Sequence, residues 1–101
     1  MKGDLKMRKL TKRQITAAEK LMQKMDVAVK LHLDVLVDGW AKAYVEGKDG
    51  TADYYAGAIW GVLETMQMLG VITLKQYFLL GDYFHDKRWA KCDELRENGA
   101  A

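Results

Sequence analysis

The chain has 101 residues, enough for one modest hydrophobic core and too few for two independent ones. Half of the residues are hydrophobic and 30% are charged, a globular balance that argues against general disorder, and a net charge of +2 from 16 basic and 14 acidic side chains makes no general claim on nucleic acid. A single cysteine excludes an internal disulfide framework and a cysteine metal cluster, and no stretch reaches the roughly 18 uncharged apolar residues of a membrane span. With Lys2, Asp4 and Lys6 where a secretory leader would turn apolar, the expected setting is the cytoplasm, without membrane attachment.

Residues 1–10 read as a flexible basic arm ahead of a single helical domain over 11–98, with 99–101 as a frayed tail. Lys2, Lys6, Arg8, Lys9, Lys12 and Arg13 are opposed only by Asp4. The ordinary reading is a solvated terminus; the alternative is a set of phosphate contacts, which needs the charge to continue as a stripe on the folded surface or to lie beside aromatic platforms.

Thr11 and Gln14 have capping-box spacing, and Leu10 and Ile15 sit where a hydrophobic staple would close, so both signals start a helix at the same point. From there Ile15, Ala18, Met22, Met25, Val29, Leu33, Leu36, Trp40 and Tyr44 recur every three or four residues. A second seam through Ala17, Leu21, Ala28, His32, Val35, Gly39 and Ala43 widens the stripe. Asp26, Lys30, Asp34, Asp38, Lys42 and Glu46 occupy the remaining, solvated side. With no proline to interrupt it, the pattern predicts one helix over about 12–46, roughly 50 Å long, with Gly39 as the point of bending or early termination.

Gly47-Lys48-Asp49-Gly50 is a turn, Gly47 being suited to a helix C-cap. Thr51 or Asp49 then caps a second helix over about 52–69, in which Tyr55, Ile59, Val62, Met66 and Leu69 keep helical period and Gly70 ends the run. The short turn makes this helix antiparallel to the first. Gly57 and Gly61 offer a small surface for close approach of another helix.

Thr73 and Gln76 repeat the capping box, and Ile72 and Tyr77 the staple. The last segment reads either as one helix or, as preferred here, as two, 74–81 and 82–97, with Gly81-Asp82 as the break and Asp82 as the second cap. The expected fold is therefore all-α: a small bundle of three or four helices built on one long N-terminal helix and an antiparallel helical hairpin.

Chemistry-bearing groups are few. His32 and His85 lack the i, i+4 spacing of a helical metal site. His32 is expected partly buried, His85 on the surface and Cys92 as an inert buried thiol. No cofactor, metal or catalytic constellation is expected, and the chain reads as non-enzymatic. The aromatics exceed what a small bundle readily buries. Trp40, Tyr44, Tyr54, Trp60, Tyr83 and Trp89 are therefore the candidate partner-binding residues, of a homodimer or a larger protein partner. Small helical proteins poor in motifs include inhibitors and adaptors of larger bacterial or phage assemblies, which is the expected role; a nucleic-acid-associated regulator using the basic arm is the alternative.

Overall fold

The computed structural model describes residues 10–100, folded as four helices: α1 (Lys12–Gln23), α2 (Val27–Val45), α3 (Asp49–Met68) and α4 (Leu74–Leu95). A π-helical turn, Arg96–Ala100, follows α4.

Both capping boxes form. Thr11 Oγ1 accepts from the Gln14 amide at 3.1 Å while the Thr11 amide donates to Gln14 Oε1 at 2.8 Å, and Thr73 and Gln76 repeat the pair at the same distances. The helix ends match each other as well. At the end of α2 the Gly47 amide donates to Tyr44 O and the Lys48 amide to Ala43 O; at the end of α3 the Gly70 amide donates to Gln67 O and the Val71 amide to Met66 O. These are two Schellman motifs, and they place Gly47 at φ +79° and Gly70 at φ +78°, where a side chain would be strained.

The long N-terminal helix expected from periodicity is not formed. The chain breaks at Lys24-Met25-Asp26, not at Gly39, and the longest helix is the C-terminal α4, with 22 residues. The Lys24 and Met25 amides bond three residues back, to Leu21 O and Met22 O, which closes α1 tightly. Asp26 then restarts the chain as an N-cap, its Oδ1 accepting from the Ala28 amide at 2.8 Å. Asp26, expected among the charges on the solvated side of a continuous helix, is thus the cap of α2. Packing supplies the reason. The described residues span 40 × 26 × 21 Å, shorter than an unbroken 35-residue helix, and the break folds α1 back so that Ala18 is fully buried in the main core.

The last helix is also continuous where a break was expected. Gly81 lies inside α4 because a ring from α3 occupies the space its side chain would need: a Cβ there would meet Trp60 Cη2 at 2.1 Å. Gly39 plays the same part in α2, where a Cβ would lie 2.6 Å from the Tyr55 ring. Tyr55 and Trp60 of α3 therefore sit in glycine notches of both neighbours. Gly57 and Gly61, expected to admit a close helix, have nothing near their Cβ positions and are exposed. The second helix begins at Asp49, ahead of the expected start, with Lys48 as an N-cap that makes no side-chain bond.

The main core joins Leu33, Leu36 and Val37 of α2 to Ile59, Leu63 and Met66 of α3 and to Leu80 and Phe84 of α4. Each large aliphatic or aromatic side chain fully buried here contributes about 1.5–3 kcal/mol. A smaller cluster at the other end packs Trp40, Ala41 and Ala43 against Ala52 and Cys92.

Candidate binding surface

The expected aromatic surface is largely turned inward. Trp40 is buried and stacks on half-buried Tyr44, their ring centroids 5.1 Å apart and 7° from parallel. Trp89 meets both edge-on at 5.3 and 4.9 Å. The Arg88 guanidinium lies 5.1 Å over the Trp40 ring and that of Arg96 lies 5.7 Å over Tyr44, so cations from α4 and from the turn after it cover the faces of this cluster. Trp60 is half-buried on Gly81 with Tyr77 at 5.3 Å, and half-buried Tyr83 lies against Phe84, with Lys87 Nζ 5.3 Å above its ring. Of the six candidates only Tyr54 is well exposed, at 70%, and it touches Tyr55. The structure brings Trp40, Tyr44 and Trp89 together and leaves Tyr54, Trp60 and Tyr83 apart from them.

The titratable groups are settled by packing. The histidines exchange their expected places. His32 is exposed, whereas His85 is half-buried and its Nε2 accepts from Trp89 Nε1 at 3.3 Å, with Asp86 3.8 Å from its Nδ1. Burial and the nearby Arg88 hold the His85 pKa below its ordinary value, against the opposing pull of Asp86. The Trp89 bond needs the neutral ring, with Nε2 free to accept. Cys92 is fully buried, its Sγ 3.8 Å from Ala41 O, and burial pushes its thiol pKa up, away from nucleophilic character. Arg88 is buried too, and its Nε has no hydrogen-bond partner. Lys91 is tied to Glu94 at 2.9 Å and to Asp38 at 3.7 Å, which raises its pKa. The Lys87-Arg88-Lys91 run therefore presents no common basic face. Among the described residues no three His, Cys, Asp or Glu side chains are grouped to hold a metal ion, and no helix is long and apolar enough to cross a membrane.

The surface that stands out is aliphatic. Val27, Leu31 and Val35 project from one side of α2 at 65, 60 and 63% exposure, a ridge with four-residue spacing. Its flank carries Lys30 and Asp34. A second exposed group, Met68, Leu69 and Val71, lies at the α3–α4 turn and continues along the first turns of α4 through Leu74 and Phe78. Phe78 there enters a groove of 670 Å³ between α1 and α4. Val35 was placed by its period in the second apolar seam, and Val27 and Leu31 in neither seam; four-residue spacing is the signal that joins the three.

Of the expected phosphate contacts, Lys2, Lys6, Arg8 and Lys9 lie outside the described residues. Lys12 and Arg13 are exposed in the first turn of α1, where Arg13 borders the α1–α4 groove. No family model matches the chain, and no curated protein or solved structure shows significant similarity to it.

Proposed function

We propose that the chain is a non-enzymatic, cytoplasmic protein-binding module that self-associates through α2. The observation carrying this reading is the Val27-Leu31-Val35 ridge, three large apolar side chains each more than half exposed on one helix face. Such a ridge is self-complementary. A twofold axis at Leu31 with antiparallel α2 helices sets Val27 opposite Val35 of the copy. Because equivalent flanks meet in that arrangement, Lys30 comes near the copy's Asp34, and the reverse pair forms with it. The ion pairs contribute little at the rim, and burial of the apolar ridge supplies most of the gain. The dimer would then present two copies of its remaining surface, an arrangement suited to inhibiting or adapting a larger bacterial or phage assembly.

Light scattering over about 1 to 100 µM tests the association, since a dimer dissociates on dilution by mass action. The parent chain should shift from monomer toward dimer with concentration, and Leu31→Asp should stay monomeric with unchanged helicity, because Leu31 takes no part in the core. A parent chain that remains monomeric throughout would remove this reading.

A further inference from the structure

The groove between α1 and α4 differs from the ridge in both shape and charge, and shares no residue with it. Its apolar lining comes from Ala17 and Leu21 of α1 and from Phe78 and Leu79 of α4. Arg13, Lys20 and Lys24 line its α1 side and Lys75 its α4 side, while Asp82 is the single acid among the lining residues. Arg13, Lys20 and Lys24 are spaced i, i+7 and i+11, which aligns them along one edge of α1 over about 16 Å, or three turns. None of these four cations forms an ion pair with a described residue. An apolar trough with a row of uncommitted cations along it is complementary to one kind of occupant.

From this geometry we infer that the α1–α4 groove binds an acidic amphipathic helix of a partner protein, apolar stripe down, with carboxylates at matching i, i+7 and i+11 positions facing Arg13, Lys20 and Lys24. The inference rests on the reading of the chain as a protein-binding module and names the chemistry of its partner. Helix-in-groove recognition uses an apolar stripe for affinity and flanking charges for orientation. The trough also fits a helix better than the competing anions. A bilayer is flat, whereas this site is a concave slot within the 300–1,000 Å³ usual for pockets. A single-stranded nucleic acid stacks successive bases on aromatic rings, and this lining has one ring, Phe78, among aliphatic side chains.

The test is a fluorescence-anisotropy titration of the full chain with a labelled helical peptide of about 18 residues, enough for five turns. Its sequence carries a leucine stripe flanked by glutamates at the i, i+7 and i+11 positions; a control peptide has lysine at those places. The acidic peptide should bind and the lysine peptide should not. Lys20→Glu with Lys24→Glu, two exposed positions, should weaken binding by about tenfold or more without changing helicity or thermal midpoint. Raising salt from about 0.05 to 0.5 M should weaken the parent complex and have less effect on what remains in the double variant. Failure of the acidic peptide to bind, or binding indifferent to the double variant, overturns the inference. So does binding of phosphatidylglycerol vesicles or a single-stranded oligonucleotide in place of the peptide. Repeating the titration with Leu31→Asp separates the two readings. Peptide bound by Leu31→Asp shows the groove to work without the dimer, peptide bound by a parent chain that stays monomeric in light scattering leaves the groove standing without self-association, and a parent dimer that ignores the peptide removes the groove alone.

Discussion

Replacing Gly81 with alanine tests whether aromatic insertion, and not flexibility, explains a glycine in the middle of the longest helix. In an unobstructed helix interior the change would stabilise by about 1 kcal/mol. Here the new methyl would lie 2.1 Å from Trp60 Cη2 and 2.6 Å from Cζ3, more than an ångström short of ordinary contact. The obstructing atoms are the far edge of the indole, so the ring lifts from α4 and gives up its seat beside Tyr77. Overpacking of this kind costs about 1–3 kcal/mol, which offsets or exceeds the gain in helix propensity and leaves a net destabilisation of up to about 2 kcal/mol. The sign should reverse once the ring is removed. In a Trp60→Leu background the same Gly81→Ala change should stabilise by about 1 kcal/mol, a coupling between the two positions of about 1–3 kcal/mol. Urea unfolding followed by far-UV circular dichroism on all four members of the cycle measures this without depending on tryptophan emission. Gly57→Ala and Gly61→Ala, which meet nothing, serve as references and should each stabilise by about 0.5–1 kcal/mol. Equal effects of Gly81→Ala in the two backgrounds would refute the notch.

Asp26→Ala should cost about 1 kcal/mol by removing the cap that restarts the chain at α2, and limited proteolysis should cut the variant faster near Met25 than the parent. The His85 ring should make stability depend on pH. Its folded pKa lies below the ordinary value, so between the two the unfolded chain binds the extra proton. Its contribution is therefore complete above about pH 6.5 and is lost as pH falls through the lowered folded value, where protonation also ends Nε2's role as acceptor from Trp89. Urea midpoints from pH 7.5 down to about 5 should fall further for the parent than for His85→Gln, and equal slopes would contradict this assignment.

Two helix starts and two helix stops are legible from local chemistry. Thr11-Gln14 and Thr73-Gln76 form the boxes their spacing announces, and Gly47 and Gly70 take the positive φ that ends their helices. The break before α2 was not read because no glycine or proline marks it. Periodicity runs unbroken from Met22 through Met25 to Val29, since Met22, Met25 and Val29 still pack against the same core after the chain has folded back. The one local sign is an aspartate just ahead of an apolar run, which the helical period places among the surface charges. Conversely, Gly39 and Gly81 looked like weak points of their helices. What holds each in place is a ring from α3, distant in sequence, which local propensity does not register.

The same long-range packing explains why most of the candidate rings are turned inward. Counting aromatics assumes that a ring off its own helix's main stripe has nowhere to go but solvent. Trp60 lies off the stripe of α3, yet the missing Cβ of Gly81 opens a place for it in α4, and Trp40, Tyr44 and Trp89 cover one another with Arg88 and Arg96 over their faces. Four of the six candidate rings are satisfied by these two arrangements. Val27, Leu31 and Val35, in contrast, have no such partners and stay more than half exposed. Folding α1 back also creates a surface that no single helix pattern contained. The break at Lys24-Met25-Asp26 sets Arg13, Lys20 and Lys24 beside Lys75 and Phe78 of α4. Asp26 caps α2 at that break, so it holds the turn from which α1 is folded back. Loss of the Asp26 cap should accordingly weaken acidic-peptide binding along with stability, even though Asp26 itself does not line the groove.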